Sequence, residues 1–142
     1  MTSTEIIEFT DSVVDDTNGL FEFLQPFVAA QQLLERTLDE IRHLTKHGFV
    51  ARNQGQIIGF AAVEVYSRKL GEIQCLAVSP HFQDRGIGRG LVSRCVDRAR
   101  ELGILELMAI SASENLFKNC GFDYSLPNQK RALFIQPQIN HG

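Results

Sequence analysis

The chain contains no run of about 18 apolar residues, so it offers no segment able to span a bilayer as a helix. Its first residues, Met1-Thr2-Ser3-Thr4-Glu5, lack the basic and apolar regions of a secretory signal, and the expectation is a cytoplasmic protein. Cysteine is scarce. Cys75, Cys95 and Cys120 are an odd set without metal-ligand spacing, which favours reduced thiols over a disulfide framework or a bound metal. Cys95 and Cys120 read as core residues. Neither sign of charge dominates, because 14 Lys and Arg against 17 Asp and Glu leave a net charge of −3. The cations are scattered, so nucleic acid and anionic membrane are poor partners. His43, His47 and His81 stand apart from one another and read as solvated.

What remains is globular material. At 142 residues, 44% hydrophobic and 22% charged, the chain reads as one domain over residues 1–142. No repeat, low-complexity tract or linker divides it. Residues 6–9 form a short strand candidate, and residues 20–34 a helical stretch that Pro26 should break in two. Thr37-Leu38-Asp39-Glu40 has capping-box form, and Gly48 should stop the helix it opens. Residues 49–52 and 57–65 read as a hairpin about Asn53-Gln54-Gly55-Gln56, with residues 70–78 as the third strand of the meander. Apolar residues then recur at helical spacing through Leu102, and Gly103 closes that helix. A buried strand over 104–110, a short helix from Ser113 to Gly121 and a last strand at 133–135 complete the order. Strands that come first as a meander and then as strand–helix–strand predict a mixed α/β domain. Its central sheet should be mostly antiparallel, with flanking helices.

Between the third strand and the long helix lies Gln83-Asp84-Arg85-Gly86-Ile87-Gly88-Arg89-Gly90. Strand, glycine-rich turn and helix aim free N–H groups and a positive helix end at an anion, and residues without side chains let a phosphate come close. The dinucleotide pattern G-x-G-x-x-G fails, because Leu91 stands where the third glycine is needed. The Walker pattern fails too, because no Gly-Lys-Ser/Thr follows. What fits is Gln/Arg-x-x-Gly-x-Gly/Ala at Gln83 to Gly88.

That loop resembles the acyl-CoA pyrophosphate loop of the GCN5-related N-acetyltransferases (GNAT), and the order of elements is similar over nearly the whole chain. Asn119-Cys120-Gly121-Phe122 matches the segment in which the family ends its last helix in Gly-Phe. Within the superfamily the chain looks most like the acetyltransferase domain of N-acetylglutamate synthases. The residues that carry this are Leu33-Leu34-Glu35-Arg36-Thr37, Gly71-Glu72, Cys75-Leu76-Ala77-Val78, and Phe117 four residues before Gly121. The synthases' C-terminal run, an aromatic-Asn pair followed by basic residues and Ser-Lys, is absent after Lys130-Arg131-Ala132-Leu133-Phe134. The amino-acid kinase domain of many such enzymes, and with it the arginine feedback site, is expected to be absent.

The resemblance implies acetyl-CoA as co-substrate, no metal, a small amine as acceptor and a GNAT-like single domain, with a homodimer left open. It implies that Gln83, Asp84, Arg85, Gly86, Ile87, Gly88, Arg89 and Gly90 hold the pyrophosphate. The backbone of Leu76, Ala77 and Val78 should line the acyl-CoA, with an oxyanion donor near Leu76. Asn115 and Phe117 would be further neighbours of the cofactor. Glu72 resembles the family's general base, against the simpler reading of a solvated strand carboxylate. The family's Tyr general acid is replaced by Phe117, which has no proton to give. Ser111 is then the candidate acid, with Ser113 its rival and helix N-cap the simplest role for Ser113. Cys75, three residues after Glu72, lies on the opposite strand face if pairing is regular, whereas a bulge would change that. Arg36 and Lys69 are candidate binders of an acceptor carboxylate, and ordinary surface cations otherwise. An amino acid is the expected acceptor, with glutamate first. The rivals are a protein or peptide acetyltransferase and a non-catalytic acyl-CoA sensor.

Overall fold

The computed structural model describes residues 6–111, 114–126 and 133–138. Strands β1 (Ile7–Asp11), β2 (Gly48–Asn53), β3 (Gln56–Val65), β4 (Leu70–Val78) and β5 (Glu106–Met108) form one sheet in the order β1-β2-β3-β4-β5. The first four are antiparallel, and β5 joins β4 in parallel. The helices are α1 (Thr17–Ala29), α2 (Leu38–Leu44), α3 (Ile87–Glu101) and α4 (Glu114–Asn119). This is the α/β, mostly antiparallel sheet that the order of elements predicts.

Two cores flank the sheet. On one side Ile87, Leu91, Val92 and Cys95 of α3, with Phe117 of α4, meet Phe49, Ala51, Ala61, Val63 and Ile73. On the other Leu20, Leu24 and Phe27 of α1, with Ile41 and Leu44 of α2, meet Val50, Phe60, Ala62, Cys75 and Ala77. Alternation along β2 and β3 sends successive apolar side chains to opposite faces, which is why both strands are apolar on both faces. Gly59 lets α3 lie close, since a Cβ there would stand 3.1 Å from Leu91 and 3.3 Å from Ile87.

Several expectations need correction. Pro26 does not break α1, because it sits in the final turn, where losing one N–H bond is tolerated. The helix instead ends at Gln31 (φ 60°), whose N–H reaches Val28 O while Gln32 N–H reaches Phe27 O. That is a glutamine-closed Schellman end, so residues 31–34 are not helical. The strand expected over 104–110 is only Glu106–Met108 and lies half-exposed at the sheet edge. Residues 133–135 form no strand, and Leu133 is 92% exposed. Ser113 lies outside the described residues.

Candidate active site

The loop after β4 leads into α3 through two left-handed residues, Asp84 (φ 63°) and Gly86 (φ 81°). Gly adopts that conformation freely, and Asp tolerates it better than most residues. Phe82 is buried and anchors the loop, and the Gln83 side-chain amide donates to Val78 O at 3.0 Å. The first turn of α3 closes with Gly90 N–H to Gly86 O at 3.0 Å. The N–H groups of residues 86–89 therefore have no intrahelical acceptor and form the positive end of a 15-residue helix. A Cβ on Gly88 would meet Leu116 at 3.4 Å and Val78 at 3.9 Å, so this glycine faces the gap between β4 and α4. These donors and this clearance suit a pyrophosphate.

Beside that loop β4 and β5 part. Their pairing runs only from Leu70↔Glu106 to Glu72↔Met108, and among the described residues no strand covers the β5-side edge of β4 beyond it. Within the same stretch β4 carries a bulge. Phe60 pairs with Ala77 but Ala62 pairs with Gln74, so β4 holds one extra residue, and Cys75 takes φ 59°. Its consequence is a change of face. Ile73 belongs to the α3 core, but Cys75, two residues on, belongs to the α1/α2 core. Cys75 thus shares the face of Gln74, and the opposite-face expectation for a regular strand is corrected. The thiol is 7% exposed and burial pushes it up to about 11, which makes a thiolate nucleophile unavailable near neutral pH.

On the α1/α2 face, four polar side chains form a chain of hydrogen bonds. The Arg36 guanidinium donates to Gln74 Oε1 at 2.6 Å, and Gln74 Nε2 donates to Glu72 Oε1 at 3.0 Å. The Tyr66 hydroxyl donates to the same Glu72 oxygen at 2.6 Å. Partial burial, then the bond to Glu72, raises Tyr66 to about 12, so it stays a donor at physiological pH. Both donors fall on Oε1, which leaves Glu72 Oε2 as the oxygen with no partner among the described residues. Thr37 caps α2 by accepting from Glu40 N–H, and this cap fixes the chain just after Arg36. A cleft of about 230 Å³ opens here, lined by Arg36, Asp39, Glu40, His43, Leu44 and Glu64.

The model of the Acetyltransferase (GNAT) family matches residues 11–122. The chain belongs to this family. An uncharacterised N-acetyltransferase of Chlorobaculum tepidum is 31% identical over 107 residues, 75% of this chain and 69% of that protein. The amino-acid acetyltransferase of Pseudomonas syringae is 30% identical over 131 residues, 87% of this chain and 30% of the relative. The chain thus spans about a third of the length of such relatives. The crystal structure of N-acetylglutamate synthase from Neisseria gonorrhoeae with coenzyme A and N-acetyl-glutamate superposes with a TM-score of 0.71 at 26% identity. It covers 83% of this chain and 28% of that one. Rv2747 from Mycobacterium tuberculosis, crystallised with CoA, gives a TM-score of 0.73 at 25% identity over 80% of this chain and 70% of its own.

This acetyltransferase brings some of its sequence-predicted residues together and separates others. Glu72 and Arg36 share one network. Lys69 lies in the exposed β3–β4 turn, and among the described residues nothing joins its side chain to Arg36 or Glu72. Ser111 is exposed three residues past Met108, the residue in register with Glu72, and Asn115 is exposed in the first turn of α4. Phe117 is a core residue, 6% exposed, with its ring edge-on to Phe122 at 5.3 Å. The pyrophosphate role of Gly90 is also corrected, because its N–H is bonded to Gly86 and Phe9 fills its side-chain space at 2.9 Å. His47 is not solvated: it is partly buried against Arg98 at 3.2 Å, and burial with the Arg98 charge lowers its pKa. Tyr66 and Gln74 escaped the sequence reading. Their signal was alternation, since Glu64, Tyr66, Glu72 and Gln74 are the same-face polar positions of an otherwise apolar hairpin. Among the described residues there is no helix long and apolar enough to cross a membrane and no His, Cys, Asp and Glu group able to hold a metal.

Proposed function

We propose that this acetyltransferase moves the acetyl group of acetyl-CoA to the α-amine of a free amino acid, with glutamate the first candidate. The observation that carries the reading is the Arg36–Gln74–Glu72 chain, a cation and a carboxylate on one sheet face beside a cleft. Acetyl-CoA supplies the activated acetyl thioester, and everything else falls to the protein. The N–H groups of residues 86–89 and the unpaired edge of β4 are suited to the pyrophosphate and the pantetheine amides. The Arg36 fork suits a carboxylate, and Glu72 Oε2 suits the removal of a proton from the amine. Gln74 and Tyr66 hold Glu72 in one rotamer with its other oxygen occupied. Ser111, just past the point where β5 leaves β4, is the candidate hydroxyl for protonating the departing thiolate. The amino-acid acetyltransferase relatives and the synthase structure favour an amino acid over a peptide, and a cleft of about 230 Å³ is on the scale of a small molecule.

The test is thiol release from acetyl-CoA in the presence of each of the twenty amino acids. Release should depend on the acceptor, and the α-amide of the best acceptor should be a much poorer substrate. Tight CoA binding with no acceptor-dependent release would replace this reading with an acyl-CoA sensor. Equal use of acid and amide would remove Arg36 from the site.

A further inference from the structure

Glu64 of β3 stands in register with Glu72 of β4. Both face α1 and α2, because the neighbouring pairs Ala62↔Gln74 and Phe60↔Ala77 supply that core with Ala62, Phe60 and Ala77. Like charges set directly opposite on a sheet repel, and no cation among the described residues forms an ion pair with either carboxylate. The nearest in the network, Arg36, reaches Glu72 only through Gln74. Arg36 gives one nitrogen to Gln74 and the other to Glu35 O. Glu72 has two neutral donors, which orient it without cancelling its charge. The Glu64 side chain has no hydrogen bond or ion pair with any described residue, yet the residue is partly buried and lines the same cleft as Arg36. The cleft's other carboxylates are engaged, Asp39 by Arg42 at 3.0 Å and Glu40 by the Thr37 N–H at 2.9 Å. The Glu64 charge reaches inward far enough to help raise both Tyr66 and Cys75.

We infer that Glu64 binds the ammonium group of the acceptor, holding the cation between itself and Glu72 while Arg36 faces the acceptor carboxylate. This rests on the amino-acid reading above. An amino acid arrives with its amine protonated, and a site with only one carboxylate must both hold that cation and accept its proton. A second carboxylate lets the abundant cation bind first. One N–H then points at Glu72 Oε2, the proton passes to that oxygen, and the nitrogen keeps its lone pair for attack. Glu64 is on this account a binding residue, and Glu72 the base.

The experiment compares Glu64→Gln with wild type, using the best acceptor among the twenty amino acids. The acceptor KM should rise about tenfold, the loss expected when a charged hydrogen bond becomes neutral, while kcat and the acetyl-CoA KM stay near wild type. The desamino analogue of that acceptor, tested as a competitive inhibitor, should bind the variant at least as tightly as wild type, because it carries no cation. An unchanged acceptor KM overturns the assignment. A second readout needs no turnover: Glu64→Gln should raise the melting temperature of the ligand-free protein by about 2 °C at low salt, since it relieves the opposed charges. A lower melting temperature would mean that Glu64 has a structural partner, and also overturns it. If wild type uses none of the twenty amino acids, the amino-acid reading itself falls and takes this inference with it. Turnover with an indifferent Glu64→Gln variant sinks the inference alone.

Discussion

The two halves of β4 do different work. From Leu70 to Gln74 the strand is paired on both edges for its first three residues and offers side chains, with Glu72 and Gln74 tied to Arg36 and Tyr66. From Cys75 to Val78 it offers backbone, with a bulge, an edge uncovered by β5 and a carbonyl that ties down the glycine loop. The first half suits recognition of an acceptor that differs among acetyltransferases. The second suits a cofactor whose phosphates and amides ask only for N–H and C=O groups. A bulge separates them, and it also turns Cys75 into the α1/α2 core.

The sharpest way to separate the halves is to damage the first alone. Glu72→Gln keeps the shape and an acceptor oxygen but removes the proposed base. We expect kcat to fall by about 10²–10⁴, with partial recovery at high pH as more of the amine arrives deprotonated. A wild-type kcat near neutral pH would assign the base elsewhere. Tyr66→Phe should act on the same half more mildly, because Gln74 still bonds Oε1. A loss of about two- to tenfold in kcat/KM for the acceptor is expected, with the acetyl-CoA KM unchanged. A larger effect on acetyl-CoA than on the acceptor would move Tyr66 to the other half.

The smallest effect concerns the bulge. Burial raises Cys75 to about 11 and Cys95 to about 12, whereas unfolded thiols titrate near about 8.5. Above about pH 9 the unfolded chain therefore loses protons that the folded chain keeps, so stability falls as pH rises towards about 11 to 12. The contribution is fully present below the unfolded value. Cys75→Ala should flatten part of that slope, measured as the denaturant midpoint between pH 8 and 11 relative to wild type. An identical slope in the variant would mean that Cys75 is not held as a buried thiol.

The same division explains what the sequence made legible. The turn into the long helix was legible because its requirement is written in spacing: Gly86 supplies a left-handed residue, and Gly88 faces β4 and α4 at ordinary contact distance. Gly90 was misread because the same residue type also serves packing, here against Phe9, and spacing alone cannot tell the two uses apart. The long helix, its Gly103 stop and the hairpin were legible from local periodicity and turn chemistry. The short β5 and residues 133–135 were not, because an apolar run records hydrophobicity and not whether a partner strand covers it. The proposed acceptor side draws on residues 64, 72 and 74, which meet through strand register. Residues 36 and 66 join them by side-chain contacts between segments far apart or across a turn. The face change at Cys75 depends on one positive φ at a non-glycine residue, and nothing in the residue type announces it.

We propose that the N–H groups at the start of α3 hold the phosphates of CoA independently of the acceptor half. Calorimetric titration of CoA into Gly88→Asp and Glu72→Gln tests it most directly. A Cβ at Gly88 meets its neighbours at ordinary contact distances of 3.4 and 3.9 Å, so the Asp variant should fold, as its melting temperature without ligand will report. Gly88→Asp should then lose measurable CoA binding, and with it the thermal stabilisation that a ligand of the folded state confers. Glu72→Gln should bind CoA as wild type does. A folded Gly88→Asp variant with unchanged CoA affinity would contradict the account.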